Sequence, residues 1–126
     1  IMAEEQMWIG GEWCAAESGE TSDVLNPATG EVMASVPRAT EGDVQRCVEA
    51  SRAALNNADW KSMDPAQRGR ILNKMAAATY AKAKELAVIE SSNNGKTFRE
   101  ALSEVRYGAW TLEYFAGLTD KIEGST

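Results

Sequence analysis

Histidine is absent from the 126 residues, which excludes imidazole general bases, Ser-His-Asp and Cys-His nucleophile pairs, and every metal site that needs imidazole. The thiols that remain, Cys14 and Cys47, sit in different segments without a Cys-x-x-Cys spacing, so neither a redox pair nor a zinc knuckle is indicated. Each reads as a free, buried structural thiol. Cys14 follows Trp13 in an extended stretch, and Cys47 shares a helical apolar face with Val44 and Val48, with no cation cluster or helix N-terminus to favour a thiolate. Among the carboxylates, Glu100 and Glu104 stand at i, i+4 on one helix face, a spacing more common on solvated surfaces than in acid–base pairs. Gly95-Lys96-Thr97 matches the last three residues of a P-loop, but position 90 is Glu and the preceding element is a helix, so no phosphate cradle is expected. Tyr107, Trp110, Tyr114 and Phe115 read as core packing in preference to a ligand channel.

Charge narrows the partners. With 13 Lys+Arg against 19 Asp+Glu the net charge is −6, the isoelectric point is about 4.7, and the basic residues are dispersed. Nucleic acid and anionic lipid are therefore not expected partners. The acidic start, Ala3-Glu4-Glu5, is followed by no apolar signal-like stretch, and no apolar run approaches the roughly 18 residues of a membrane span. A cytoplasmic protein is expected. Ile1, ahead of Met2, reads as an added residue and is left out of fold reasoning. A chain of this length is expected to form one segment that buries roughly two thirds of its unfolded surface.

The elements that must position these residues are legible from period and punctuation. Met7–Ile9 and Glu12–Cys14 flank Gly10-Gly11 as a β-hairpin, Thr21–Leu25 is a further extended piece, and Glu31–Val36 alternates as a short strand closed by Pro37. Asn26-Pro27-Ala28-Thr29-Gly30 between them is a turn, since Pro fixes φ, Asn bonds its own backbone and Gly takes φ > 0. Beyond Pro37 the period becomes helical. Thr40 and Asp43 form a capping box opening a helix over 40–57, with Val44, Cys47, Val48, Ala54 and Leu55 facing a core. Asp64-Pro65 opens a helix over 65–94, with Ile71, Leu72, Met75, Thr79, Leu86 and Ile89 as its stripe and a bend near 81–84. Thr97 and Glu100 cap a third over 98–117, with Ala101, Leu102, Val105, Ala109, Leu112 and Phe115 on one face. The fold class is α+β, mainly helical: an N-terminal hairpin (7–37 with its short third strand) followed by three amphipathic helices. The short strands cannot cover three such helices, so apolar surface is expected to remain exposed.

Ile9-Gly10-Gly11-Glu12-Trp13, Asn26-Pro27-Ala28-Thr29-Gly30-Glu31-Val32, Asn93-Asn94-Gly95-Lys96, Glu113-Tyr114-Phe115-Ala116-Gly117 and Ile122-Glu123-Gly124, in this order, resemble the beginning of the aldehyde dehydrogenase family. The resemblance extends over essentially the whole chain, with a flavour of the betaine and amino-aldehyde group. It implies a piece of the α/β aldehyde dehydrogenase fold. It also implies a parent of several hundred residues that oxidises aldehydes to acids with NAD(P) through a thiohemiacetal on a cysteine. In that family the dinucleotide-binding strands, the oxyanion Asn, the general-base Glu and the nucleophilic Cys all follow the segment seen here. Cys47 sits in Val44-Gln45-Arg46-Cys47, a chance Gln-x-Cys on a helix, and Cys14 matches nothing in the family's Gly-Gln-x-Cys pattern, so neither is carried over as nucleophile and no catalytic and no cofactor-binding residue is assigned.

What the resemblance does carry over is modest. The third helix borders the substrate tunnel in relatives, which makes Ser103 and Tyr107, one turn apart, the candidate aldehyde contacts. Some relatives hold K+ or Na+ at a carbonyl beside the Asn-Pro turn and at an Asp before Asn-Gly-Lys, positions taken here by Leu25 and Asn93. Asn93 replaces that Asp, leaving an amide oxygen and one charge fewer. The expected function is the N-terminal portion of an NAD(P)-dependent aldehyde dehydrogenase, non-catalytic by itself and needing no cofactor of its own. The rival is a self-associating interaction module derived from a dehydrogenase gene, a homo-oligomer held by its exposed helix faces. A small enzyme built on Glu100, Glu104 and Tyr107 has no paired base and nucleophile to support it.

Overall fold

The computed structural model describes residues 3–125; Ile1, Met2 and Thr126 lie outside the described residues. The chain forms two compact units, the first closing at Ser62 and the second opening at Met63, where its length had suggested one.

The first unit holds two small sheets. Strand β1 (Ala3–Glu4) runs parallel to β5 (Val32–Pro37), which pairs antiparallel with β4 (Thr21–Leu25) through an irregularity at Val24/Leu25. Strands β2 (Met7–Ile9) and β3 (Glu12–Cys14) make the expected hairpin. Its connection is Gly10-Gly11 at φ +65° and +92°, the left-handed pair that matches the twist of a two-residue hairpin and that only glycine adopts without cost. Trp8 and Trp13 face each other across it, ring centroids 4.8 Å apart and edge to face. The β4–β5 turn is held by its own polar groups: the Ala28 N–H donates to Asn26 Oδ1 (2.9 Å) and the Gly30 N–H to the Asn26 carbonyl (2.8 Å).

Helix α1 (Glu41–Asn56) and the one-turn α2 (Ala58–Ser62) complete this unit. The apolar stripe of α1 was expected to face a core. Instead Val44, Val48 and Leu55, the last 63% accessible, and Cys47 are exposed. The physical reason is that, among the described residues of the unit, the elements that chiefly pack on this helix are β2 and α2, and a three-residue strand cannot cover four turns. A stripe of this kind records that a face has a partner without saying what the partner is.

The second unit is helical. The single helix expected over 65–94 is two, α3 (Pro65–Ala81) and α4 (Ala83–Asn94), broken at Lys82 (φ −100°, ψ 10°). Helix α5 (Phe98–Ala116) packs against both. The buried positions are small: Ala76, Ala83, Ala87, Ala101, Ala109 and Ala116, with Gly69. Such a seam lets helix backbones approach closely, and a Cβ built on Gly69 would lie 2.8 Å from both the Ala116 carbonyl oxygen and Thr119 Oγ1. The larger residues assigned to core stripes, Ile71, Met75, Leu86, Ile89 and Phe115, are instead exposed, because the Ala/Gly seam sits one or two positions away and takes the inner face. Leu72, Thr79, Leu102, Val105 and Leu112 are half-buried at its margin.

Candidate functional site

Helix α5 carries the candidate aldehyde contacts. It begins with a full capping box: the Glu100 N–H donates to Thr97 Oγ1 (3.3 Å), while the Thr97 N–H and hydroxyl donate to Glu100 Oε2 (3.3 and 2.8 Å). Glu100 is thus a helix-capping group, satisfying donors that would otherwise lack partners. Ser103 and Tyr107 follow on the exposed face. Tyr107, 66% accessible, starts a row of rings: Tyr107–Trp110 centroids are 5.4 Å apart, Trp110–Tyr114 6.0 Å and Tyr114–Phe115 5.4 Å. All four rings are exposed, which corrects the reading of this set as core. The opposite face of α5 is spent on the alanine seam, so the aromatics have nothing in this unit to pack into. The row is an aromatic wall along the C-terminal half of α5 that carries the Tyr107 and Tyr114 phenols, with the Ser103 hydroxyl one turn before Tyr107. It can bind or orient an apolar ligand.

Just ahead of α5 lies a cluster that sequence reasoning missed. The Lys96 ammonium pairs with Glu104 and with Glu90 Oε1 (3.0 Å). Its N–H donates to Asn94 Oδ1 (2.9 Å), and its carbonyl accepts from Ser91 Oγ (2.7 Å). The Glu104 and Glu90 carboxylates hold the ammonium pKa above its ordinary value. The available signal was two glutamates flanking one lysine across a helix–turn–helix. Glu104 is therefore an ion-pair partner and not half of an acid–base pair.

This cluster also tests the turn against a dinucleotide. Gly95 closes α4 at φ +80°, so the turn joins the carbonyl end of α4, which repels phosphate, to the N-terminus of α5, where the Glu100 carboxylate already takes the anion's place. Lys96 is engaged by two carboxylates, and the Thr97 hydroxyl serves Glu100. These residues do not fit the phosphates of NAD(P), and no step through that cofactor is assigned to them. For the monovalent cation, Leu25 is exposed at the end of β4 in the first unit and Asn93 is exposed in the last turn of α4 in the second. Among the described residues no group of three or more His, Cys, Asp or Glu is placed to hold a metal ion.

In the first unit the most organised polar group is Asp43, only 1% accessible. Its carboxylate accepts from the Thr40 N–H (2.8 Å) and Thr40 Oγ1 (3.0 Å), from the Glu17 N–H (3.2 Å to each oxygen), and from Arg46. The Thr40 N–H and the Arg46 guanidinium hold its pKa far below the usual carboxylate range. The residue ties the loop after β3 to the start of α1, which is structural work. Cys47, read as buried, is exposed on the wall of an open groove of about 600 Å³ that also includes Trp8, Ile9, Ala50 and Ala54.

The family model that matches residues 13–126 is the aldehyde dehydrogenase family. The chain belongs to that family. A phenylacetaldehyde dehydrogenase of Pseudomonas fluorescens is 42% identical over 122 residues, 96% of this chain and 24% of the relative. Among solved structures, an NAD-dependent aldehyde dehydrogenase from Sinorhizobium meliloti superposes with a TM-score of 0.93 at 36% identity, covering 99% of this chain and 25% of that one. A betaine aldehyde dehydrogenase of Staphylococcus aureus gives 0.90 at 30%, covering 98% of this chain and 25% of that one. The chain matches the N-terminal part of aldehyde dehydrogenases and spans a quarter or less of the length of the curated relatives it matches. No helix among the described residues is long and apolar enough to cross a membrane.

Proposed function

We propose that this chain serves as the N-terminal portion of an NAD(P)-dependent aldehyde dehydrogenase of the cytoplasm, structural and non-catalytic by itself. The observation that carries this reading is the combination of well-formed units with uncovered apolar faces: Val44, Val48 and Leu55 on α1, and Tyr107, Trp110, Tyr114 and Phe115 on α5. Exposed faces of this extent mark contact surfaces, and a chain spanning a quarter of its relatives has the remaining three quarters of such an enzyme as their natural cover. Aldehyde oxidation by NAD(P) through a cysteine thiohemiacetal then belongs to that remainder. The role of this portion is to supply the α5 wall, with Ser103 and Tyr107 touching the aldehyde.

The test is a chimera in which this chain replaces the matched segment of the Pseudomonas fluorescens relative, assayed for NAD(P)H formation with phenylacetaldehyde. The expected result is an active chimera in which Tyr107→Ala raises KM for the aldehyde more than it lowers kcat. A chimera that folds and assembles like its parent but turns over no aldehyde would overturn the proposal.

The exposed α1 stripe also favours a second reading, a homo-oligomer in which two copies bury Val44, Val48 and Leu55 against each other. Sedimentation then gives a multiple of 13.7 kDa, and Leu55→Glu returns it to a monomer. A wild-type monomer at high concentration would dismiss this reading.

A further inference from the structure

We draw no further inference here: the strongest candidate, the apolar groove between the β2–β3 hairpin and α1 in the first unit, walled by Trp8, Ile9, Cys47 and Ala54, carries nothing because nothing in the structure shows what covers it.

Discussion

Two Gly→Ala substitutions in the helical unit should move its stability in opposite directions, although helix propensity alone gives them the same sign. Replacing an interior helical glycine by alanine gains about 1 kcal/mol of propensity. At Gly108, on the exposed face of α5, an added methyl meets nothing within 4 Å, so Gly108→Ala should realise that gain. At Gly69 the methyl would sit 2.8 Å from the Ala116 carbonyl oxygen and 2.8 Å from Thr119 Oγ1. The first is backbone, and the second is tied to it by a 3.0 Å hydrogen bond from the Thr119 hydroxyl, so neither can swing aside. Overpacking of this kind costs about 1–3 kcal/mol. A mid-range cost of about 2 set against a gain of about 1 leaves Gly69→Ala destabilised by about 1 kcal/mol. For a unit of this size that lowers Tm by roughly 4–8 °C, while Gly108→Ala raises it by a similar amount. Thermal unfolding of the full chain followed by circular dichroism at 222 nm reads both. A Gly69→Ala protein as stable as Gly108→Ala would refute the close approach of α3 to the end of α5, and with it the alanine seam that turns Ser103 and Tyr107 outward.

Other expectations concern the caps and the hairpin. Asp43, whose pKa is lowered on folding, contributes stability that is full above its unfolded value near 3.8 and is lost as pH falls through that value toward the lower folded one. Urea midpoints should therefore decline between about pH 5 and pH 2, and Asp43→Asn should start lower at pH 7 and decline less; equal acid slopes would show that the carboxylate is not held as described. Thr97→Ala removes the α5 cap and should cost about 1 kcal/mol in urea unfolding, whereas an unchanged midpoint would mean that the box contributes nothing. Gly11→Ala forces a side chain into φ +92° at a cost of about 1 kcal/mol and should weaken the near-ultraviolet dichroism of the Trp8–Trp13 pair; retention of that signal at full strength to the wild-type temperature would contradict the turn assignment.

The legible parts of the fold were those fixed by local chemistry. The hydroxyl–carboxylate spacings at Thr40/Asp43 and Thr97/Glu100, the Asp64-Pro65 start, the Asn26-Pro27 turn and the Gly10-Gly11 hairpin each satisfy nearby backbone groups, and the structure has all of them. Burial is not legible from apolar periodicity, because the apolar stripes of α1, α3 and α4 are not their inner faces. On α1 the stripe marks a face left open within its unit. On α3 and α4 the inner face is Gly69, Ala76, Ala83 and Ala87, whose small side chains give little hydrophobic signal while permitting close backbones. The two-residue β1 and the one-turn α2 are too short to leave a periodic trace. The break at Lys82 has no Gly or Pro to announce it, and helix length alone suggested the stretch in which it falls. Of the candidate site, the shared face of Ser103 and Tyr107 follows from a spacing of four. The pairing of Leu25 with Asn93 rests on resemblance, because nothing in residue type or spacing links a strand-end carbonyl in one unit to an amide in the other.

In the proposed role this chain contributes surface and shape to aldehyde oxidation and leaves the chemistry to the rest of the enzyme. The most direct measurement is NAD(P)H formation by the purified 126-residue chain, given NAD+ or NADP+ and a panel of aldehydes, with Cys14→Ser/Cys47→Ser protein alongside. No formation above the protein-free blank for either protein is the predicted result. Turnover that follows the chain through purification and is lost in the double cysteine variant would contradict it.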